Sequence, residues 1–225
     1  MKLKLLVVAA ILLAGTPVAH ALDVTIPLTV VGNQATGHIS IAGFTADLGI
    51  EFESVTGLDS SALVATVHVV SLFELPTLLL RLPATGISLP AEFPLLLRIG
   101  PSSSSTLTFH GVSKISLHTV ELDFRIDLPL SLFSAPNGGT FKDITSWDGS
   151  GSYRVGGDKG EMSEYLILVD VRGIDGVITG KFNALQATLT NNAGSMPPAV
   201  FAALQARLTT ARNFYNAGQT ASAVT

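Results

Sequence analysis

The residues best suited to chemistry in this 225-residue chain are a set of scattered histidines and one run of oxygen-bearing side chains. His38, His68 and His118 lie inside runs that read as strands, and His110 stands beside Gly111. Histidines on neighbouring strands can converge on a metal. No His-x-His or His-x-x-x-His pair is present to seed such a site, so the ordinary reading is four solvent-facing or hydrogen-bonded residues. Asp148, Ser150 and Ser152 place oxygens at alternate positions, with Asp158 and Glu161 close behind. That alternation is what calcium loops offer, but calcium wants about six or more oxygens and several carboxylates. Asp148, Ser150, Ser152 and Asp158 are therefore a weak calcium candidate set against a plain Gly-rich loop, and no other cofactor is indicated. Gly149-Ser150-Gly151-Ser152 is not the strand-turn-helix elbow that exposes a nucleophilic serine, so no catalytic residue is assigned. Leu82-Pro83-Ala84-Thr85-Gly86 matches a sortase pentapeptide but lies mid-chain, without the apolar span and basic tail such a signal needs.

Alternation with period two dominates the elements that must carry these residues. Ala46, Leu48, Ile50 and Phe52 are apolar, while Asp47, Gly49, Glu51 and Glu53 face the other way. Val120, Leu122, Phe124, Ile126 and Leu128 alternate in the same manner with Glu121, Asp123, Arg125 and Asp127. Such runs read as strands with one face on a core and one in water. Ala62 to Val70 and Tyr165 to Val171 are apolar on both faces, as central strands would be. Asn137-Gly138-Gly139 and Asp175-Gly176 read as tight turns. Gly149 to Gly151 and Gly156-Gly157-Asp158 bracket a short segment around Tyr153. Together they predict a mainly β fold, an antiparallel β-sandwich over residues 22–190.

Beyond residue 190 the period changes. Pro197-Pro198 stands where a helix can begin, and Val200, Leu204, Leu208, Ala211 and Tyr215 recur at steps of three and four. Asn216-Ala217-Gly218 is a stop. A C-terminal amphipathic helix is expected within 191–225, with Thr220 opening a second, one-turn helix. Separately, Glu74 to Leu82 resembles Glu92 to Ile99 in sequence, as one Leu/Pro-rich unit used twice. These units would either fill a core or line a site for an apolar ligand.

Lys2 and Lys4, the apolar run Leu5 to Ala14, and Ala19-His20-Ala21 form the three parts of a secretory signal. A signal peptide over 1–21 is expected, cleaved after Ala21, giving a periplasmic or secreted protein. The apolar run falls short of the ~20 residues that span a bilayer, so no membrane span is expected in the mature chain. Losing Lys2 and Lys4 leaves 11 basic against 17 acidic residues, a net of −6. That balance disfavours nucleic acid as a partner. The chain has no cysteine, which removes disulfides and thiolate metal sites.

Phe133 to Thr145, Gly157-Asp158, Ser163 to Ile167 and the tail Leu208 to Ser222 resemble a family of uncharacterised secreted proteins from proteobacteria. The resemblance implies an exported domain of unknown function and carries over no catalytic residue. The expectation is a non-enzymatic binding or structural module whose partner is another exported protein or an apolar ligand. A carrier of an apolar ligand is the first alternative. A hydrolase, with a site assembled only in the fold from His110, His118 or Asp148, is the second.

Overall fold

The computed structural model describes residues 23–83, 85–124 and 129–219. The expected signal peptide, the last residues of the Val120–Leu128 strand and the segment from Thr220 onward lie outside them. Among the described residues, thirteen strands form two antiparallel sheets. One sheet runs in the order β1 (Val24–Ile26), β5 (Leu63–Val69), β7 (Leu95–Pro101), β13 (Glu164–Asp170), β9 (Leu130–Ala135) and β10 (Lys142–Asp143). The two-residue β6 (Ile87–Ser88) adds to β13. The other sheet runs β11 (Thr145–Gly149), β12 (Ser152–Lys159), β8 (Thr108–Asp123), β4 (Phe44–Thr56), β3 (Gln34–Ile41) and β2 (Leu28–Val31). The expected antiparallel β-sandwich is what the chain forms.

Alternation explains the packing. Ala46, Leu48, Ile50 and Phe52 of β4 turn inward, as do Ile115 and Leu117 of β8 and Tyr153 and Val155 of β12. They meet Ala65 and Val67 of β5, Leu95 and Leu97 of β7, and Tyr165, Ile167 and Val169 of β13. The continuous apolar run of β13 has a second cause. Leu166 and Leu168 point to the opposite face, into a smaller core with Phe133, Phe141, Leu96 and Leu78. All seven residues of β13 are buried, since each face of the strand has its own core. At about 1.5–3 kcal/mol for each large apolar side chain, the outer cluster fixes the connecting segments onto the sheet.

The Leu/Pro-rich copies do not fold alike. In the first, Pro76 sits in the opening turn of a short helix, α1 (Leu75–Leu79). In the second, Pro94 precedes β7 and frees Leu95 to Pro101 to pair. Leu78 and Leu96, one from each copy, meet in the outer core. Position in the sheet overrides local similarity here.

Three expectations are corrected. Asp175-Gly176 is not a hairpin turn. It lies in the first turn of helix α2 (Ile174–Asn191), which starts after Gly173 at φ 77°, with Asp175 near the positive helix end. Gly156-Gly157-Asp158 is no turn either, but lies within β12. A Cβ on Gly157 would stand 2.4 Å from the Ile144 carbonyl oxygen, so the close approach of the neighbouring chain requires glycine there. Val120 is 67% exposed, not core-facing. Ser152 pairs with Asp123 and Arg154 with His118, so extra residues of β8 bulge out between these pairs and reverse the alternation.

The predicted C-terminal helix is α3 (Pro198–Asn216), closed by Gly218 at φ 73° and bonds from Gly218 N–H to Tyr215 and Gln219 N–H to Phe214. Helices α2 and α3 form a hairpin in which no residue is fully buried. Lys181 ties it to the sandwich, 3.0 Å from Asp143 Oδ2 and donating to Thr145 O at 2.9 Å.

Candidate functional site

Strand register composes the most developed surface site. Thr29 pairs with Thr36, Thr36 with Gly49, Gly49 with Ser116, Ser116 with Gly156, and Gly156 with Trp147. These six residues cross all six strands on the outer face, because their neighbours Ala35, Leu48, Leu117 and Val155 face the core. At ~4.8 Å between strands, the row is roughly 24 Å long. It is a trough, since its floor residues are small.

Two rows of polar side chains flank it. On one side His38 pairs with Asp47, Asp47 with His118, and His118 with Arg154. On the other, Gln34 pairs with Glu51, Glu51 with Lys114, and Lys114 with Asp158. The hollow on the histidine side has a volume of about 710 Å³, with His38, Asp47, His118, Trp147 and Arg154 in its lining. The hollow on the Glu51–Lys114 side measures about 300 Å³ and shares Thr36, Gly49, Ser116 and Trp147. Trp147 ends the trough, 48% exposed. Its indole covers Gly156, where a Cβ would stand 2.2 Å from Nε1.

The histidine side carries a connected set of groups. His38 Nδ1 lies 2.8 Å from Asp47 Oδ1, and His118 Nδ1 lies 3.5 Å from Asp47 Oδ2. His118 Nε2 is 2.8 Å from Ser152 Oγ. The hydrogen bond with His38 holds the Asp47 carboxyl below its ordinary pKa, and His118 adds to the effect. Ser152, His118 and Asp47 follow the order of a nucleophile, a base and an orienting acid. The geometry is loose for that work. The Asp47–His118 gap is too long for a hydrogen bond, and the Asp47 side chain is 64% exposed to competing water.

His68 belongs to a separate network on the other sheet. Its Nε2 lies 2.8 Å from Glu74 Oε1. Its Nδ1 lies 3.0 Å from Asp23 Oδ1 without the alignment of a hydrogen bond. Arg98 reaches both Asp23 and Glu164, and Arg81 joins Glu164 while covering the Phe141 ring at 4.6 Å. Burial pushes the Glu164 carboxyl up, but hydrogen bonds from Arg81, Arg98 and Gly138 N–H outweigh it and leave the pKa below the ordinary value. This network fastens α1 and the Gly138 turn to β13.

The other sequence candidates do not gather. His110 pairs with Ser54, eight residues along β8 from His118. Asp148 lies on β11 opposite Val155, Ser152 takes the bond with His118, and Asp158 faces Lys114. Among the described residues, no group of three or more His, Cys, Asp or Glu side chains is arranged to hold a metal ion. His38 and His118 were in view from the sequence, but Asp47, Arg154, Trp147 and the Gly49–Ser116–Gly156 floor were not. The usable signal was the two-residue turn at Ala42-Gly43, which sets His38 opposite Asp47.

No helix among the described residues is long and apolar enough to cross a membrane. No curated protein and no solved structure matches the chain. With its sandwich, helical hairpin and Thr29–Trp147 trough, the chain belongs to the Family of unknown function (DUF6689), which it matches over residues 8–225.

Proposed function

We propose that the chain is an exported, non-enzymatic binding module and that the Thr29–Trp147 trough is its ligand surface. The observation that carries this reading is the register itself, which lays two polar rows along a small-residue floor across six strands. Ladder hydrogen bonds hold the rows in place before a ligand arrives, which lowers the ordering cost of binding. The absence of tight nucleophile–base–acid geometry at Ser152, His118 and Asp47 favours binding over hydrolysis. Within the leucine-rich units Leu78 and Leu96 pack against the protein's own Phe133 and Leu168, which argues against those two residues holding an apolar ligand, while Leu79 and Leu80 stay exposed.

Arrays of immobilised polysaccharides, peptides and lipids, probed with the mature protein and with an Asp47→Ala/Arg154→Ala variant, test the site. The reading requires that a surface retaining the wild type fails to retain the variant. Retention unchanged in the variant, or no retention on any surface, overturns it. Export is tested by N-terminal sequencing after expression in a bacterial host, with Leu22 as the expected first residue.

A further inference from the structure

We infer that the trough takes a neutral polysaccharide chain laid across the strands, with one sugar ring stacked on Trp147. This rests on the trough being the ligand surface and names its chemistry.

Charge comes first. Both flanking rows mix signs: Glu51, Lys114 and Asp158 on one side, and Asp47 and Arg154 on the other, with His38 and His118 between as hydrogen-bonding groups. A polyanion would meet Asp47, Glu51 and Asp158, and a polycation would meet Lys114 and Arg154. Each would leave like charges opposed, which is costly against the wrong partner. A neutral polyol can donate to the carboxylates and accept from Arg154 and Lys114 on either side.

An extended peptide bound to a sheet normally joins an edge and takes main-chain hydrogen bonds there. This trough runs perpendicular to the strands, over backbone already committed to the ladder between β3, β4, β8 and β12. Its ligand must be recognised through side chains along a length of roughly 24 Å. A chain of sugar rings, with hydroxyls on its edges and flat apolar faces, meets that demand.

Trp147 closes one end of the trough. Gly156 beneath it lets the indole cover the sheet, and the side chain remains 48% exposed. A flat, rigid apolar surface at the end of a polar groove fits the C–H face of a pyranose, and the Nε1–H is a polar handle at its edge. Beyond that platform the small floor residues Thr36, Gly49 and Ser116 leave room for a chain to continue between the two rows.

The test is affinity gel electrophoresis and calorimetry on the mature protein. The neutral probes are mixed-linkage β-glucan, xylan, galactomannan and amylose. Alginate, polygalacturonate, chitosan and an oligoproline peptide are run beside them. Binding to at least one neutral polysaccharide is expected, with a shift in tryptophan emission. Trp147→Ala should weaken it by roughly tenfold or more at unchanged circular dichroism, and Trp147→Phe should restore part of the loss. No binding to any neutral polysaccharide, or full affinity in Trp147→Ala, overturns the inference. Binding of alginate, polygalacturonate, chitosan or peptide alone that is lost in Asp47→Ala/Arg154→Ala overturns the neutral-polysaccharide assignment and leaves the trough as the ligand surface. Binding that ignores Asp47, Arg154 and Trp147 removes both.

Discussion

Glu164 and Arg81 are separated by 83 residues of sequence and meet as an ion pair in which the Glu164 side chain is only 4% exposed. Arg98 and the Gly138 N–H complete its coordination, so a buried charge on the central strand is matched on every side. Glu164→Gln should cost about 3 kcal/mol in denaturant unfolding at neutral pH, because Arg81 loses its partner in a half-closed site.

The same residue sets an acid response. The folded-state pKa of Glu164 lies below the ordinary value, so the unfolded chain binds the proton more readily. Its stabilising effect is complete above the ordinary glutamate pKa and is lost as pH falls through the folded one. Wild-type stability should therefore fall on acidification below about pH 4, and Glu164→Gln should show a shallower slope over that range.

Gly156→Ala separates platform from fold. The new Cβ would strike the far end of the Trp147 side chain, which can swing away. Urea unfolding should change by less than about 1 kcal/mol, while tryptophan emission shifts to the red. An unshifted spectrum would mean that the indole does not rest on Gly156.

Tyr153 is 1% exposed, its hydroxyl has no hydrogen-bond partner among the described residues, and burial raises its pKa strongly. Tyr153→Phe removes an unpaired polar group from the core. The variant should be as stable as wild type or more stable, by about 1 kcal/mol, in thermal or urea unfolding.

Ala42 holds φ 52° and Gly43 φ 89° in the turn between β3 and β4. Positive φ at both central positions belongs to the hairpin turn that favours Asn-Gly. Ala42→Asn should raise stability by roughly 0.5–1 kcal/mol, and Ala42→Val should lower it.

That turn also marks how far the site could be read from residues alone. With Ala42 and Gly43 as the loop, Ile41 faces Phe44 and His38 must face Asp47, so half of one polar row follows from local chemistry. The other half needs β8 beside β4 and β12 beside β8, pairings across long stretches of chain that no turn specifies. The alternation in β4 and the closure of α3 at Gly218 were legible because they are local. Helix α2 was obscured by Asp175-Gly176, a turn signal that here lies in a helix's first turn. Gly156 and Gly157 misled for the opposite reason, since their small size answers to Trp147 and Ile144 and not to a bend.

The position of β13 has a consequence for how the protein is made. It is the last strand in sequence, yet it sits between β7 and β9 at the middle of its sheet. Until residue 170 has left the ribosome, the strands on either side of that gap each present an unsatisfied edge and half of two apolar cores. A chain in that state resembles a set of templates for its neighbours, and the exposure lasts from the completion of β7 at residue 101 to that of β13 at residue 170. Such a nascent chain calls for a holding factor that keeps it unfolded until the closing strand is available.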